Sequence, residues 1–303
     1  MSMSERLPAA IAARLEAAKK RQSPNWTEEE QTYIGSGGYI PPEPEIFTDA
    51  IVALCMGKHV LLQGPTGSGK TRLAESISAA LDRPMLMINC SVDLDAEALL
   101  GHKTLVEENG RRTIGFVPGP VIRAMERGYL LYIDEINMAR PETLPILNGV
   151  LDFRRSLYNP FTGETVRAKE SFAVIAAINE GYVGTTPMNE ALKNRFVAID
   201  IPYLQGERLA ELIRTQSELK DEKQIARFVT LSSDLTYQAK EALLSEEAAS
   251  VRALLDACDL AVYLPPLRAI KRAIADKLED ASERQLVMSL AETIFERETP
   301  AWV

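Results

Sequence analysis

The chain has 303 residues, 46% of them hydrophobic and 25% charged, which exceeds one ordinary domain and is ample for a globular core. A net charge of −9 leaves little to gain from releasing counterions on a polyphosphate, so general nucleic-acid binding is not expected. The longest apolar runs, such as Phe172–Ile178, fall far short of the roughly 20 residues a membrane helix needs.

Met1–Pro24 lacks the apolar stretch and cleavage site of a secretion signal, so the cytoplasm is the expected location. Residues 5–20 are rich in helix formers, with Leu7, Ile11 and Leu15 on one stripe. The stretch Gly35-Ser36-Gly37-Gly38-Tyr39-Ile40-Pro41-Pro42 cannot continue a regular element and reads as a linker or a strap over the core. Residues 1–41 are therefore set apart from the remainder of the chain. Cys55, Cys90 and Cys258 are too scattered for a disulfide framework or a zinc site, and His59 and His102 have no ligand spacing.

From residue 42 short apolar runs alternate with helical stretches. Val60–Leu62, Met85–Ile88, Tyr129–Ile133, Phe172–Ile178 and Phe196–Ile201 are buried-strand candidates; Ile46–Met56 and Thr71–Leu81 are helical. The alternation predicts an α/β core over 42–203, with a parallel sheet covered on both sides. After Pro202 the pattern becomes helical, which predicts an all-helical lid over 204–303.

Gly64-Pro65-Thr66-Gly67-Ser68-Gly69-Lys70-Thr71 fits the phosphate-loop pattern without a mismatch, following a strand and opening a helix. Glycines let backbone N–H groups ring an anion at the positive end of the helix. Lys70 is expected to reach the β- and γ-phosphates of a nucleotide, and the Thr71 hydroxyl to ligate Mg²⁺. Asp134 and Glu135 end a buried strand: Asp134 can hold the metal and Glu135 can deprotonate an attacking water.

Asn179 closes the next apolar strand and is expected beside Glu135 on the same water; the plainer reading is an Asn opening the Gly181 turn. Arg195, between a helix and the last strand, is expected at a subunit edge, where it could stabilise charge in a neighbour's site, or else as a surface ion-pair residue. Arg252, opening a helix at Ser250-Val251-Arg252, is the candidate for a lid contact to nucleotide, with Arg268 competing.

With Gly119-Pro120, Asn179-Glu180-Gly181-Tyr182, Arg195-Phe196 and Pro265-Pro266-Leu267 added, the chain resembles the MoxR group of AAA+ ATPases, and within it the CbbQ/NirQ/NorQ/GvpN family. His102–Val117 and Arg154–Lys169 carry hairpin signals and resemble the two hairpins inserted in that clade. The resemblance implies ATP as the nucleotide and a homo-oligomeric ring, most often a hexamer, with ATP between subunits. It also implies chaperone-like activation or assembly of a client protein, in some cases a metalloenzyme, with a von Willebrand A domain partner. The alternatives are a nucleic-acid-associated motor or clamp-loader-like ATPase, against which the acidic balance counts, and a non-catalytic scaffold, against which Lys70, Asp134 and Glu135 count.

Overall fold

The structure, a computed structural model, describes residues 7–22, 26–90, 94–108, 111–140, 142–179 and 188–295. The leading helix α1 (Ala9–Gln22) buries Ile11 and Leu15 of the expected stripe, and Leu7 is buried just ahead of its first turn. A single turn, α2 (Glu28–Gln31), follows a capping box in which the Thr27 side chain and the Glu30 carboxylate each satisfy the other's backbone N–H. Residues 33–42 then run without regular structure to α3 (Pro44–Cys55), whose entry has Pro44 at its first turn, where a missing N–H costs nothing.

The strand and helix candidates become β1 (His59–Gly64), α4 (Lys70–Leu81) and β2 (Met85–Asn89). Next come α5 (Ala96–Leu100), the hairpin β3 (Gly101–Glu108) and β4 (Arg111–Pro118), then α6 (Pro120–Arg127) and β5 (Leu130–Asp134). The first predicted hairpin is thus inserted between two helices, although its tip, Asn109-Gly110, lies outside the described residues. Helix α7 (Leu144–Val150) leads to the second hairpin, β6 (Ser156–Asn159) and β7 (Glu164–Arg167), then to β8 (Ala173–Asn179), α8 (Glu190–Lys193) and β9 (Phe196–Asp200).

Five strands form one sheet in the order β2-β5-β8-β1-β9, every pairing parallel. Apolar residues populate both faces because helices cover both faces. Leu130 and Tyr132 of β5 join the cluster under α1, α3 and α4, while Leu131 and Ile133 join the one under α5, α6 and α7. The period-two alternation of a strand sends each neighbour to the opposite layer.

The remainder is helical, as expected: α9 (Gly206–Gln216), α10 (Glu222–Lys240), α11 (Val251–Ala261), α12 (Pro266–Ala273) and α13 (Ala281–Phe295). These helices surround a separate hydrophobic cluster that includes Leu209, Phe228, Leu254 and Val287, all at most 2% exposed. Among the described residues no helix is long and apolar enough to cross a membrane.

The Gly-rich stretch is a strap. Tyr33 O accepts from Met85 N–H at 2.9 Å, Gly35 N–H donates to Ser78 Oγ at 3.1 Å, and Tyr39 N–H donates to Ser76 Oγ at 3.0 Å. Its approach to α4 is so close that a Cβ on Gly35 would stand 2.3 Å from the Glu75 carbonyl oxygen. Tyr39 packs on the core cluster and Ile40 on the lid cluster, so the strap bridges the two.

Candidate active site

The loop between β1 and α4 lies at the carboxyl ends of the parallel strands, where open α/β sheets bind ligands. It needs glycine where the backbone turns left-handed: Gly67 has φ 77°, and a Cβ there would meet Ser250 Oγ of the lid at 2.3 Å. The Lys70 ammonium is buried and donates to the Gly64 and Pro65 carbonyls at 2.9 and 2.8 Å, which holds it across the loop. Thr66 N–H donates to Glu246 Oε2 of the lid at 3.1 Å, a second tie between lid and loop.

On β5 and β8 the acids and the amide converge. Asn179 Nδ2 donates to Glu135 Oε1 at 3.0 Å, so the strand-end Asn faces Glu135 as the sequence suggests. Glu135 sits at φ 51°, a conformation non-glycine residues adopt rarely and at a cost, and it turns the chain sharply after the strand. Asp134 Oδ1 accepts from the Glu135 N–H at 3.1 Å. The Thr71 hydroxyl and the Tyr132 phenol lie 3.1 Å apart, and the same phenol faces the Asp134 carboxylate. Thr71 and Asp134 line the same cleft and offer the hard oxygen donors that Mg²⁺ requires, so the residues present fit that ion.

A cleft of about 460 Å³ joins these groups. Its floor is Thr66–Arg72 with Asn89, Asp134, Glu135 and Asn179; its walls are Tyr39 and Ile40 of the strap and Leu212, Gln216, Ser250, Arg252 and Leu255 of the lid. An apolar slot beside a ring of loop amides suits a flat heterocycle joined to phosphates.

Residues 59–196 match the AAA domain of the dynein-related subfamily. YojN of Bacillus subtilis (strain 168) is 63% identical over 266 residues, 88% of this chain and 88% of that protein. The chain belongs to the AAA+ ATPases. The ATPase is also 56% identical over 263 residues to SSP1341 of Staphylococcus saprophyticus, covering 86% of itself and 100% of the relative. Among solved structures, a RuvB mutant of Thermotoga maritima shares the fold with TM-score 0.50 and 17% identity, over 81% of the ATPase and 73% of that chain.

Two arginines take different places in the ATPase. Arg252, in the first turn of α11, lines the cleft, whereas Arg268 lies on α12, which packs against α11 and α13. Arg195 lines another cleft, also about 460 Å³, with Lys58, Asp152, Phe153 and Arg155. There its guanidinium donates to the Asn148 carbonyl and stands 4.0 Å from Asp152. In that same cleft His59 accepts the Val174 N–H at 3.0 Å, and burial, with Arg155 nearby, lowers its pKa to about 4, so it is a neutral acceptor at neutral pH.

Several residues at the site carry no sequence motif. Tyr39, Gln216 and Glu246 come from the strap and lid, where only the folded chain brings them to the loop. Tyr132 had a weak signal: it stands two residues before Asp134 on a strand, hence on the same face. Glu180, Gly181 and Tyr182 of the turn motif lie outside the described residues.

Proposed function

We propose that this ATPase is a MoxR-type remodelling machine, a ring of identical chains with ATP between subunits, most simply a hexamer. It acts on a client protein with a von Willebrand A domain partner in the cytoplasm. The observation that carries the reading is the place of Arg195: it lines a cleft of its own, apart from the nucleotide cleft of the same chain. An arginine presented on that surface is placed to complete a site in a second copy, in addition to its contacts with Asn148 and Asp152 of its own chain. The two hairpins support the client half of the reading. Leu105 and Ile114, register partners on the first hairpin, are 68% and 73% exposed, an apolar pair suited to gripping a polypeptide.

The chemistry follows from the residues. The loop amides and Lys70 neutralise the phosphates, and the lid's Arg252 is poised to reach them, which favours closure of the lid over bound nucleotide. Mg²⁺, held by Thr71 and Asp134, would supply charge to the β- and γ-phosphate oxygens. Asn179 donates to Glu135 Oε1 and so orients the carboxylate that takes the proton from the attacking water. Arg195 of the neighbouring copy stabilises charge on the transferred phosphoryl group.

The test mixes two inactive chains. Lys70→Ala retains Arg195 and Arg195→Ala retains the nucleotide cleft, so a ring assembled from both must recover ATP turnover that neither shows alone. No recovery, with both chains remaining monomers on sedimentation, refutes the ring. A pull-down with Glu135→Gln and ATP then addresses the partners. Retention of a von Willebrand A protein, lost in Lys70→Ala, supports the remodelling reading; recovery of nucleic acid with its processing proteins refutes it.

A further inference from the structure

We propose that Tyr132 is a positioning residue for the metal, holding the Thr71 hydroxyl and the Asp134 carboxylate in the orientation that receives Mg²⁺. The inference rests on the assignment of those two residues as metal ligands.

Tyr132 is fully buried, its ring in the cluster beneath α3 and α4. A phenol hydroxyl in such a setting is costly unless satisfied, and an apolar side chain of similar volume would serve packing as well. Its hydroxyl stands 3.1 Å from Thr71 Oγ1 in the first turn of α4, and Asp134 follows two residues on along β5, on the same face of the strand.

The direction of these hydrogen bonds decides the role. A threonine hydroxyl ligates a cation through a lone pair, so its proton must be given elsewhere. Tyr132 Oη can accept that proton while its own O–H donates to Asp134, which has only acceptors when ionised. The relay from Thr71 through Tyr132 to Asp134 leaves a Thr71 lone pair free for the metal. It also fixes one carboxylate oxygen, as outer groups commonly do for metal ligands. A phenylalanine would fill the same volume and supply none of this.

The experiment uses full-length Tyr132→Phe and a fluorescent ATP analogue. Binding in EDTA should stay within about twofold of the parent, and the thermal midpoint should stay near the parent's. The Mg²⁺ concentration for half-maximal change of the bound analogue's signal should rise about tenfold, the scale of one lost hydrogen bond to a charged group. Tyr132→Met, which also lacks the hydroxyl, must give the same shift. Adding Thr71→Val to Tyr132→Phe should cost less than the sum of the two single changes, since they break one relay. An unchanged Mg²⁺ requirement in both Tyr132 variants overturns the inference. If Thr71→Val and Asp134→Asn also leave that requirement unchanged, it is the metal-ligand assignment itself that fails.

Discussion

Glu30→Gln should release the strap without altering any residue that lines the cleft. Burial alone would raise the Glu30 carboxyl, but hydrogen bonds from Tyr129, the Thr27 N–H and Arg127 outweigh it and hold the pKa at about 2, against an ordinary 4.5. At about 1.36 kcal/mol per pKa unit, that preference for the ionised form is worth about 3 kcal/mol. The folded-state pKa is depressed, so the stabilisation is complete above about pH 4.5 and is lost as pH falls from there toward 2. Glutamine is neutral throughout and imitates the protonated form. Trp26 provides the readout: its ring stacks edge-on to Tyr129, with centroids 5.5 Å apart, and its Nε1 donates to the Asp82 carbonyl at 3.2 Å. The sequence holds one other tryptophan, Trp302, which a Phe replacement silences. In that background, urea release of Trp26 fluorescence should cost about 3 kcal/mol less in Glu30→Gln at pH 7 and about 2 kcal/mol less at pH 3.5. Superimposable curves at pH 7 would refute the reasoning.

Gly67→Ala should weaken nucleotide binding and lower the melting temperature. The new Cβ would meet Ser250 Oγ at 2.3 Å on a backbone at φ 77°, a strain on the order of 1–3 kcal/mol; an unchanged titration with the fluorescent analogue would show that the lid does not rest on the loop. Among the thiols, burial pushes Cys90 and Cys258 up to about 12, helped at Cys90 by the charges of Asp134 and Glu135. Half-buried Cys55 should therefore be alkylated first at pH 8 and all three at similar rates in urea, as mass spectrometry of the peptides will show.

What could be read in the sequence depends on how narrowly chemistry constrains each position. The phosphate loop needs glycines and Lys70 at fixed spacing, and Asp134-Glu135 needs a strand beneath it, so both were legible as a string. The sheet was legible because buried parallel strands are continuous apolar runs bounded by turns. The lid contact was not: Arg252 and Arg268 both sit in first turns of helices, and only packing places the first at the cleft. Thr27 and Glu30 spell a capping box, yet nothing local announces that Glu30 also binds Tyr129, 99 residues away. Long-range polar pairs of this kind leave no period and no motif.

The strap has a mechanical consequence. Its fastenings lie in chain order, from the Glu30 cluster through Tyr33 and Gly35 to Tyr39, whose ring rests against Gly69 of the phosphate loop. A pull from the N-terminal side would loosen them one after another, as a zip opens, rather than shear them all together. The load would reach the edge strand β2 through Tyr33 first and the phosphate loop through Tyr39 last. Whatever is hung from the first forty residues therefore holds a cord tied to the phosphate loop.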